Sequence, residues 1–271
     1  MQEKWAQEVV RKFGMGKAKV ASTPFEPGSM FGMEEVEVQE RVDPAMGDVP
    51  YRSLVGSLMY LAVCTRPDLA MAVSALSRYC QNPQVEHWEA AKRVLRYVKG
   101  TLGDGLEYSP GEDLSVWGYS DASYGSDAET KKGRSGFVFI SGGAAVSWGS
   151  KLQDVVALSS TEAEYMAIGH AVQEGLYLRM LQEEMGVMPE EGGTLLLVDN
   201  QSSIKLAKNP VFHKRSKHIA IRFHFIREKV DKGEIDLEFV RTLAMAADQL
   251  TKHVGVKVLE IGKGLMGMTS G

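Results

Sequence analysis

Thr194-Leu-Leu-Leu-Val-Asp-Asn200 decides the fold of this 271-residue chain. Leu195 to Val198 is a short, continuous apolar run, the pattern of a strand buried on both faces. Asp199 stands at its C-terminal end, where open α/β sheets bind their ligands. Asn200 and Ser202 follow as caps for a helix predicted from Gln201. Asp199 has two readings: a ligand-binding carboxylate at a strand end, or the helix cap itself.

Upstream, Ser159-Ser-Thr-Glu-Ala-Glu-Tyr165 opens a long helix predicted to run to about Met185. Ser159 and Glu162 have the spacing of a capping box, so Glu162 is assigned to the helix start. Glu164 lies on a different face, away from the cap. Tyr165, Ile168 and Val172 mark the side that packs on a sheet.

Farther back, Leu106 to Tyr108, Leu114 to Tyr119, Gly136 to Ile140 and Ala144 to Trp148 are short apolar runs that read as strands. Gly142-Gly143 reads as a hairpin turn. Asp121, in Tyr119-Ser-Asp-Ala-Ser-Tyr124, follows one of these runs among small residues that let a ligand approach the backbone. Its alternative is a surface turn. Beyond Asp199 come a basic helix from Ser216 to Lys232, a strand from Ile235 to Val240 and a final helix from about Met245. Asp248, in Ala246-Ala-Asp-Gln-Leu-Thr-Lys252, is either a ligand or the cap of that helix. This order of elements predicts an α/β layer in which a hairpin meander feeds a parallel addition.

The first hundred residues differ. Trp5 to Phe13 reads as a short helix ended by Gly14 and Gly16. Residues 17 to 49 carry Pro24, Pro27, Pro44 and an acidic run, Glu34 to Glu40, without sustained period, and read as an extended or mobile linker. Tyr51 to Val63 is helical and mostly apolar. Thr65-Arg-Pro-Asp68 reads as a helix start, with Thr65 as cap, and that helix runs to about Cys80. Asn82-Pro83 breaks it, and Val85 to Val98 forms a third helix. A small helical unit is expected over 50–101.

Composition sets bounds. The chain is 44% hydrophobic and 24% charged, ordinary for a globular protein, with net charge -4. A wholly basic nucleic-acid protein is excluded, so any such surface is local. The cluster Lys205, Lys208, Lys214, Arg215, Lys217, Arg222, Arg227, Lys229 and Lys232 is one, with His213, His218 and His224 between. It reads as a phosphate-tracking surface, or as a solvated helix face whose buried side is Ile219, Phe223, Ile226 and Val230. Cys64 and Cys80 are expected as buried thiols of a reducing compartment. No signal peptide opens the chain and no apolar run spans a bilayer, so no membrane partner is expected and the setting is read as cytoplasmic or nuclear.

Asp121, Glu164, Asp199 and Asp248 share one property: each falls at a strand end or helix start. Carboxylates gathered from such positions repel unless cations lie between them, and hard oxygen ligands suit Mg²⁺ or Mn²⁺. Two ions ~4 Å apart can activate water and stabilise the leaving oxygen of a phosphodiester.

These motifs, with Lys217-His-Ile219 and Arg222-Phe-His-Phe-Ile-Arg-Glu228, resemble the ribonuclease H domain of copia-type long-terminal-repeat retrotransposons. Tyr51-Arg-Ser-Leu-Val-Gly-Ser-Leu-Met-Tyr60, Thr65-Arg-Pro-Asp68 and Leu95-Arg-Tyr-Val-Lys-Gly-Thr101 resemble the segment joining reverse transcriptase to that domain. The resemblance implies a C-terminal piece of a Pol polyprotein. Its ribonuclease H-like fold, a five-stranded mixed sheet flanked by helices, would occupy 102–258. A short helix and linker (1–49) and a thumb or connection remnant (50–101) would precede it, and a tail (259–271) would follow. It implies two Mg²⁺ ions on Asp121, Glu164, Asp199 and Asp248, and cleavage of the RNA strand of RNA–DNA hybrids. Lys214, Arg215, Lys217, His218 and Arg222 would hold the hybrid, and the reverse transcriptase portion of the polyprotein would be a partner. Two features depart from the family. The Tyr-x-Asp-Asp polymerase motif is absent from these residues, and Ala220 stands where an acidic residue often follows Lys-His-Ile. An inert, nucleic-acid-binding module is the alternative function. An integrase-like nuclease is disfavoured because its Glu comes last.

Overall fold

The computed structural model describes residues 2–26, 46–127, 129–187, 192–208 and 220–270. Five strands form the main sheet: β2 (Trp117–Ser123), β3 (Arg134–Ser141), β4 (Ala144–Leu152), β5 (Thr194–Val198) and β6 (Ile235–Phe239). Their order is β4-β3-β2-β5-β6. β2, β3 and β4 are an antiparallel meander, turned at Gly142 and Gly143, which both take positive φ. A two-residue turn with both residues left-handed matches the twist of the flanking strands. β5 and β6 then add in parallel. This is the meander with a parallel addition that the element order predicts, and the five-stranded mixed sheet flanked by helices that the resemblance implies.

The two faces of the sheet have separate cores. On one, helix α5 (Ser160–Met185) buries Tyr165, Ile168 and Val172 against Phe139, Leu196 and Leu237. Helices α6 (Gln201–Lys208) and α7 (Ala220–Asp231) complete that layer, with Phe223 and Ile226 buried. On the other face, Tyr119, Val138, Ile140 and Ala145 meet the short helix α8 (Asp248–Thr251) through Ala247 and Leu250. The alternation along β3, with Phe137 and Phe139 facing α5 and Val138 and Ile140 facing α8, follows from the period-2 pleat.

Helices α1 (Glu3–Lys12), α2 (Tyr51–Cys64), α3 (Ala70–Ser77) and α4 (Val85–Gly100) make the third core, around Leu54, Leu58, Leu69, Leu76, Val94 and Leu95. Its polar centre is a buried pair: Arg66 donates to both oxygens of Asp68, at 2.9 and 2.7 Å, and Tyr97 donates to the same carboxylate at 2.8 Å. α3 packs beside β4, where Trp148 donates its indole N–H to the Ala62 carbonyl at 2.7 Å.

Several expectations are corrected. Thr65 does not cap α3: its hydroxyl bonds Gln2, and a 3₁₀ turn at Pro67–Leu69 precedes the helix. α3 ends at Ser77 rather than Cys80. The strand expected at 106–108 shrinks to β1 (Gly105–Leu106), which pairs with β7 (Met268–Thr269) outside the main sheet. Cys64 is exposed and Cys80 half-buried, both free, because Cys64 falls on the outer face of α2. The described part of the supposed mobile linker lies against α4, with the Ala21 N–H on the Arg96 carbonyl and Phe25 buried. The C-terminal stretch, unread in the sequence, forms α9 (Val256–Leu265), whose Leu259 joins the helical core and whose buried Lys263 pairs with Asp104 at 2.6 Å.

Candidate metal centre

Ser120 of β2 pairs with Val198 of β5 in parallel register. One step further along each chain stand Asp121 and Asp199, side by side where the parallel pairing of the two interior strands ends. β2 runs on to Ser123, so Asp121 lies inside the strand rather than after it, and is 2% exposed. Asp248 comes from the opposite direction, in the first turn of α8. The helix can approach this closely because Gly136, paired with Asp121 on β3, has no side chain. A Cβ there would lie 2.7 Å from Thr251 Cγ2 and 2.9 Å from Leu250 Cβ. Oxygens of Asp121, Asp199 and Asp248 all lie within 4.8 Å of one another.

Glu164 enters from the first turns of α5. Ser159 caps that helix by accepting from the Glu162 N–H, and Glu162 reaches back to the Leu158 N–H. Glu162 is thus spent on the helix start and Glu164 is left for the site. It is 7% exposed and accepts a backbone hydrogen bond from Ala122, while its Oε2 is buried without a hydrogen-bond partner. Burial, reinforced by Asp121 and Asp199, pushes its carboxyl up to about 9. Burial also raises Asp121, to about 6, with Asp248 adding to the effect and Lys252 opposing it. Asp248 is raised in the same way. A buried group of acids that resists ionisation is the donor set a hard divalent cation stabilises. The unpartnered Glu164 oxygen and the converging aspartates fit such an ion.

The two ambiguous aspartates are resolved. Asn200, not Asp199, caps α6: its Oδ1 accepts from the Ser203 N–H at 3.0 Å. Asp199 is turned instead toward Thr242, which donates to its Oδ2 at 2.9 Å. Asp248 caps nothing, since residue 247 holds the cap position of α8 and makes no side-chain cap bond. Three orienting groups were missed by sequence reasoning. Thr251 donates to Asp121, Lys252 pairs with Asp248 at 2.7 Å, and Thr242 holds Asp199. Thr251 and Lys252 stand inside the motif already singled out around Asp248, three and four residues on. That spacing returns a side chain to the same helix face.

The expected hybrid-binding residues are not assembled by what is described. Lys214, Arg215, Lys217 and His218 lie outside the described residues, and Arg222 falls at the start of α7 with its side chain likewise outside. Two members of the basic cluster are committed elsewhere: Lys229 pairs with Glu234 at 3.0 Å and Lys232 with Glu228 at 2.6 Å. Among the described residues no helix is long and apolar enough to cross a membrane.

No family model matches the chain. It is 42% identical over 269 residues to the retrovirus-related Pol polyprotein from transposon TNT 1-94 of Nicotiana tabacum, covering 99% of this chain and 20% of that protein. It is 37% identical over 251 residues to that from transposon RE1 of Arabidopsis thaliana, covering 93% and 17%. Over most of its length the chain is a homologue of the retrovirus-related Pol polyproteins of plant copia-type transposons. It spans about a fifth of the length of these Pol relatives. A secreted RxLR effector protein of Plasmopara viticola is 50% identical over 133 residues, 49% of this chain and 94% of that protein. Among solved structures, a ribonuclease H1 isolated from compost gives a TM-score of 0.39 at 16% identity, covering 51% of this chain and 93% of that one. A foamy viral protease-reverse transcriptase bound to double-stranded DNA gives 0.45 at 12% identity, covering 79% and 35%. The body of the chain is a five-stranded mixed sheet flanked by helices, an antiparallel meander with a parallel addition, preceded by a helical unit.

Proposed function

We propose that this Pol chain is a ribonuclease H, a divalent-metal-dependent endonuclease that hydrolyses the RNA strand of RNA–DNA hybrids. The observation that carries the reading is the convergence of Asp121, Asp199 and Asp248, whose oxygens lie within 4.8 Å of one another, with the buried Glu164 near enough to feel the charges of Asp121 and Asp199. Asp121, Glu164 and Asp199 would hold one Mg²⁺, and Asp121 with Asp248 the other; Mn²⁺ would serve as well. Bound ions supply a lowered pKa for the attacking water and stabilisation of the leaving 3′ oxygen.

The chain's own residues do the positioning. Thr251 and Thr242 fix the rotamers of Asp121 and Asp199 by hydrogen bonds, the role of outer groups around ligating carboxylates. Lys252 balances Asp248 and, at longer range, Asp121 and Asp199. Products would be a 5′-phosphate and a 3′-hydroxyl. Selectivity for RNA would come from contacts to its 2′-hydroxyls. The basic segment around Lys214, Arg215, Lys217, His218 and Arg222 would add phosphate contacts, and the reverse transcriptase portion of a polyprotein would deliver the hybrid. The reading places the activity in the cytoplasm or nucleus.

The test is cleavage of an end-labelled RNA–DNA hybrid by the purified chain, in Mg²⁺ or in EDTA, beside Asp121→Asn. Metal-dependent cutting of the RNA strand alone, lost in D121N, supports the reading. A folded protein that binds hybrid without cutting it refutes the enzymatic part.

A further inference from the structure

Beside the acidic centre, on the α8 face of the sheet, a cleft opens between the helical unit and the nuclease fold. Arg78, Tyr79, Ser126, Asp127, Arg134, Lys252 and His253 supply its polar lining. Arg134, at the start of β3, is its floor. The residue is 6% exposed, and its guanidinium bridges the two units by donating to Ser74 of α3 at 2.9 Å and Ser150 of β4 at 3.2 Å. Both partners are neutral hydroxyls. Among the described residues Arg134 makes no ion pair. Asp127 acts on it through space but is already bound by Arg78, with Thr130 donating to the same carboxylate.

A buried guanidinium without a carboxylate partner is costly, and such charges are normally paired. Of the three cations on the lining, Arg78 is paired with Asp127 and Glu129 and Lys252 with Asp248, which among the described residues leaves the buried charge of Arg134 unmatched. Lys252 reaches Asp248 at 2.7 Å, so the cleft and the acidic centre share a wall. An anion from outside would supply the missing counter-charge, next to the place where the scissile phosphodiester would lie. An Arg fork suits phosphate oxygens by geometry as well as charge.

We propose that this cleft is a binding site for one backbone phosphodiester of the nucleic-acid substrate, with Arg134 as its principal donor and Arg78, Ser126 and Lys252 around it. The site rests on the ribonuclease H reading for the identity of the duplex, but not for the anion chemistry. Met71 and Ala75 of α3, and Arg78 and Tyr79 just after it, form one wall, so the site joins the helical unit to substrate positioning and fixes which phosphate stands beside the acidic centre. Arg134 is a positioning residue here, not a catalytic one.

The experiment measures binding of the full chain to an RNA–DNA hybrid in EDTA, using a series of duplexes that each carry one neutral methylphosphonate. Wild type should lose affinity on the order of tenfold at one backbone position, the cost of one charge-assisted contact. R134M should bind the unmodified hybrid more weakly, with a log-log salt slope smaller by about 1. It should no longer distinguish the methylphosphonate at that one position, while its thermal midpoint is recorded in parallel. R134K, which keeps the charge and loses the fork, reads the same comparison if R134M does not fold, with the discrimination reduced rather than absent. A folded variant that retains the full discrimination, or a wild type indifferent to every methylphosphonate, overturns the site while leaving the nuclease reading intact. No binding of hybrid by wild type overturns both.

Discussion

Thr251 donates its hydroxyl hydrogen bond to Asp121 across 130 residues of chain. The bond ties α8, the last element of the site, to β2 at the centre of the sheet, and it fixes the one carboxylate expected to serve both ions. Thr251→Val keeps the shape and removes the donor. Metal-dependent cleavage should fall about 10- to 100-fold, the usual loss when a group orienting a ligand is removed, with far-ultraviolet circular dichroism unchanged. Undiminished cleavage would show that Asp121 needs no such support.

Gly136 is the spacing device behind that bond. In Gly136→Ala the new Cβ meets Thr251 and Leu250 at 2.7 and 2.9 Å, too close for either to stay. The expected cost is about 1–3 kcal/mol of stability, typical of overpacking, together with weaker Mn²⁺ binding as Asp248 moves off with α8. Urea denaturation and a metal titration read the two effects. Normal metal binding in the variant would mean that α8 is not positioned through this contact.

The acidic centre also sets a pH dependence for the metal-free protein. Glu164 is raised from 4.5 to about 9, so its folded pKa lies above its unfolded one. Between those values the folded state binds more protons, and stability falls as pH rises. In EDTA the urea midpoint should therefore drop from pH 5 towards pH 9. Glu164→Gln, isosteric and neutral, should flatten the drop and stabilise the metal-free chain at pH 8. An unchanged slope in E164Q would show that Glu164 is already ionised without strain.

Most of the fold is legible in the sequence because its signals are local. The four-residue apolar run before Asp199, the capping spacing of Ser159 and Glu162, and the Gly142-Gly143 turn each specify an element by backbone chemistry alone. The site is legible only in part. Asp199 and Asn200 are both good caps by composition, and the choice between them depends on Thr242, which is 43 residues from Asp199 along the chain and meets it only after β6 has docked. Lys252 and Arg134 escaped for the same reason: one acquires its partners from two strands and a helix, the other from two units. The short β1 was misjudged and β7 went unread because a two-residue ladder has too few side chains to show a period.

In the helical unit the buried Arg66 and Asp68 pair is the feature most exposed to single changes. Arg66 and Tyr97 hold the Asp68 carboxylate well below the usual range, although burial alone would raise it. Asp68→Ala leaves the guanidinium buried with no carboxylate, at a cost of about 3–5 kcal/mol. Loss of the Arg66 and Thr101 contacts should loosen α4 first, which hydrogen exchange at Val94 to Val98 would reveal. Exchange protection at those amides equal to that of the wild type would argue against this role.

The account stands on Asp199 being a metal ligand while its neighbour Asn200 is a helix cap. Calorimetric titration of Mn²⁺ into Asp199→Asn and Asn200→Ala, beside wild type, separates the two directly. N200A should lose about 1 kcal/mol of stability and bind the ion as wild type does. D199N should keep its fold and lose the binding. Equal Mn²⁺ binding in D199N and wild type would contradict the metal centre, and with it the proposed nuclease.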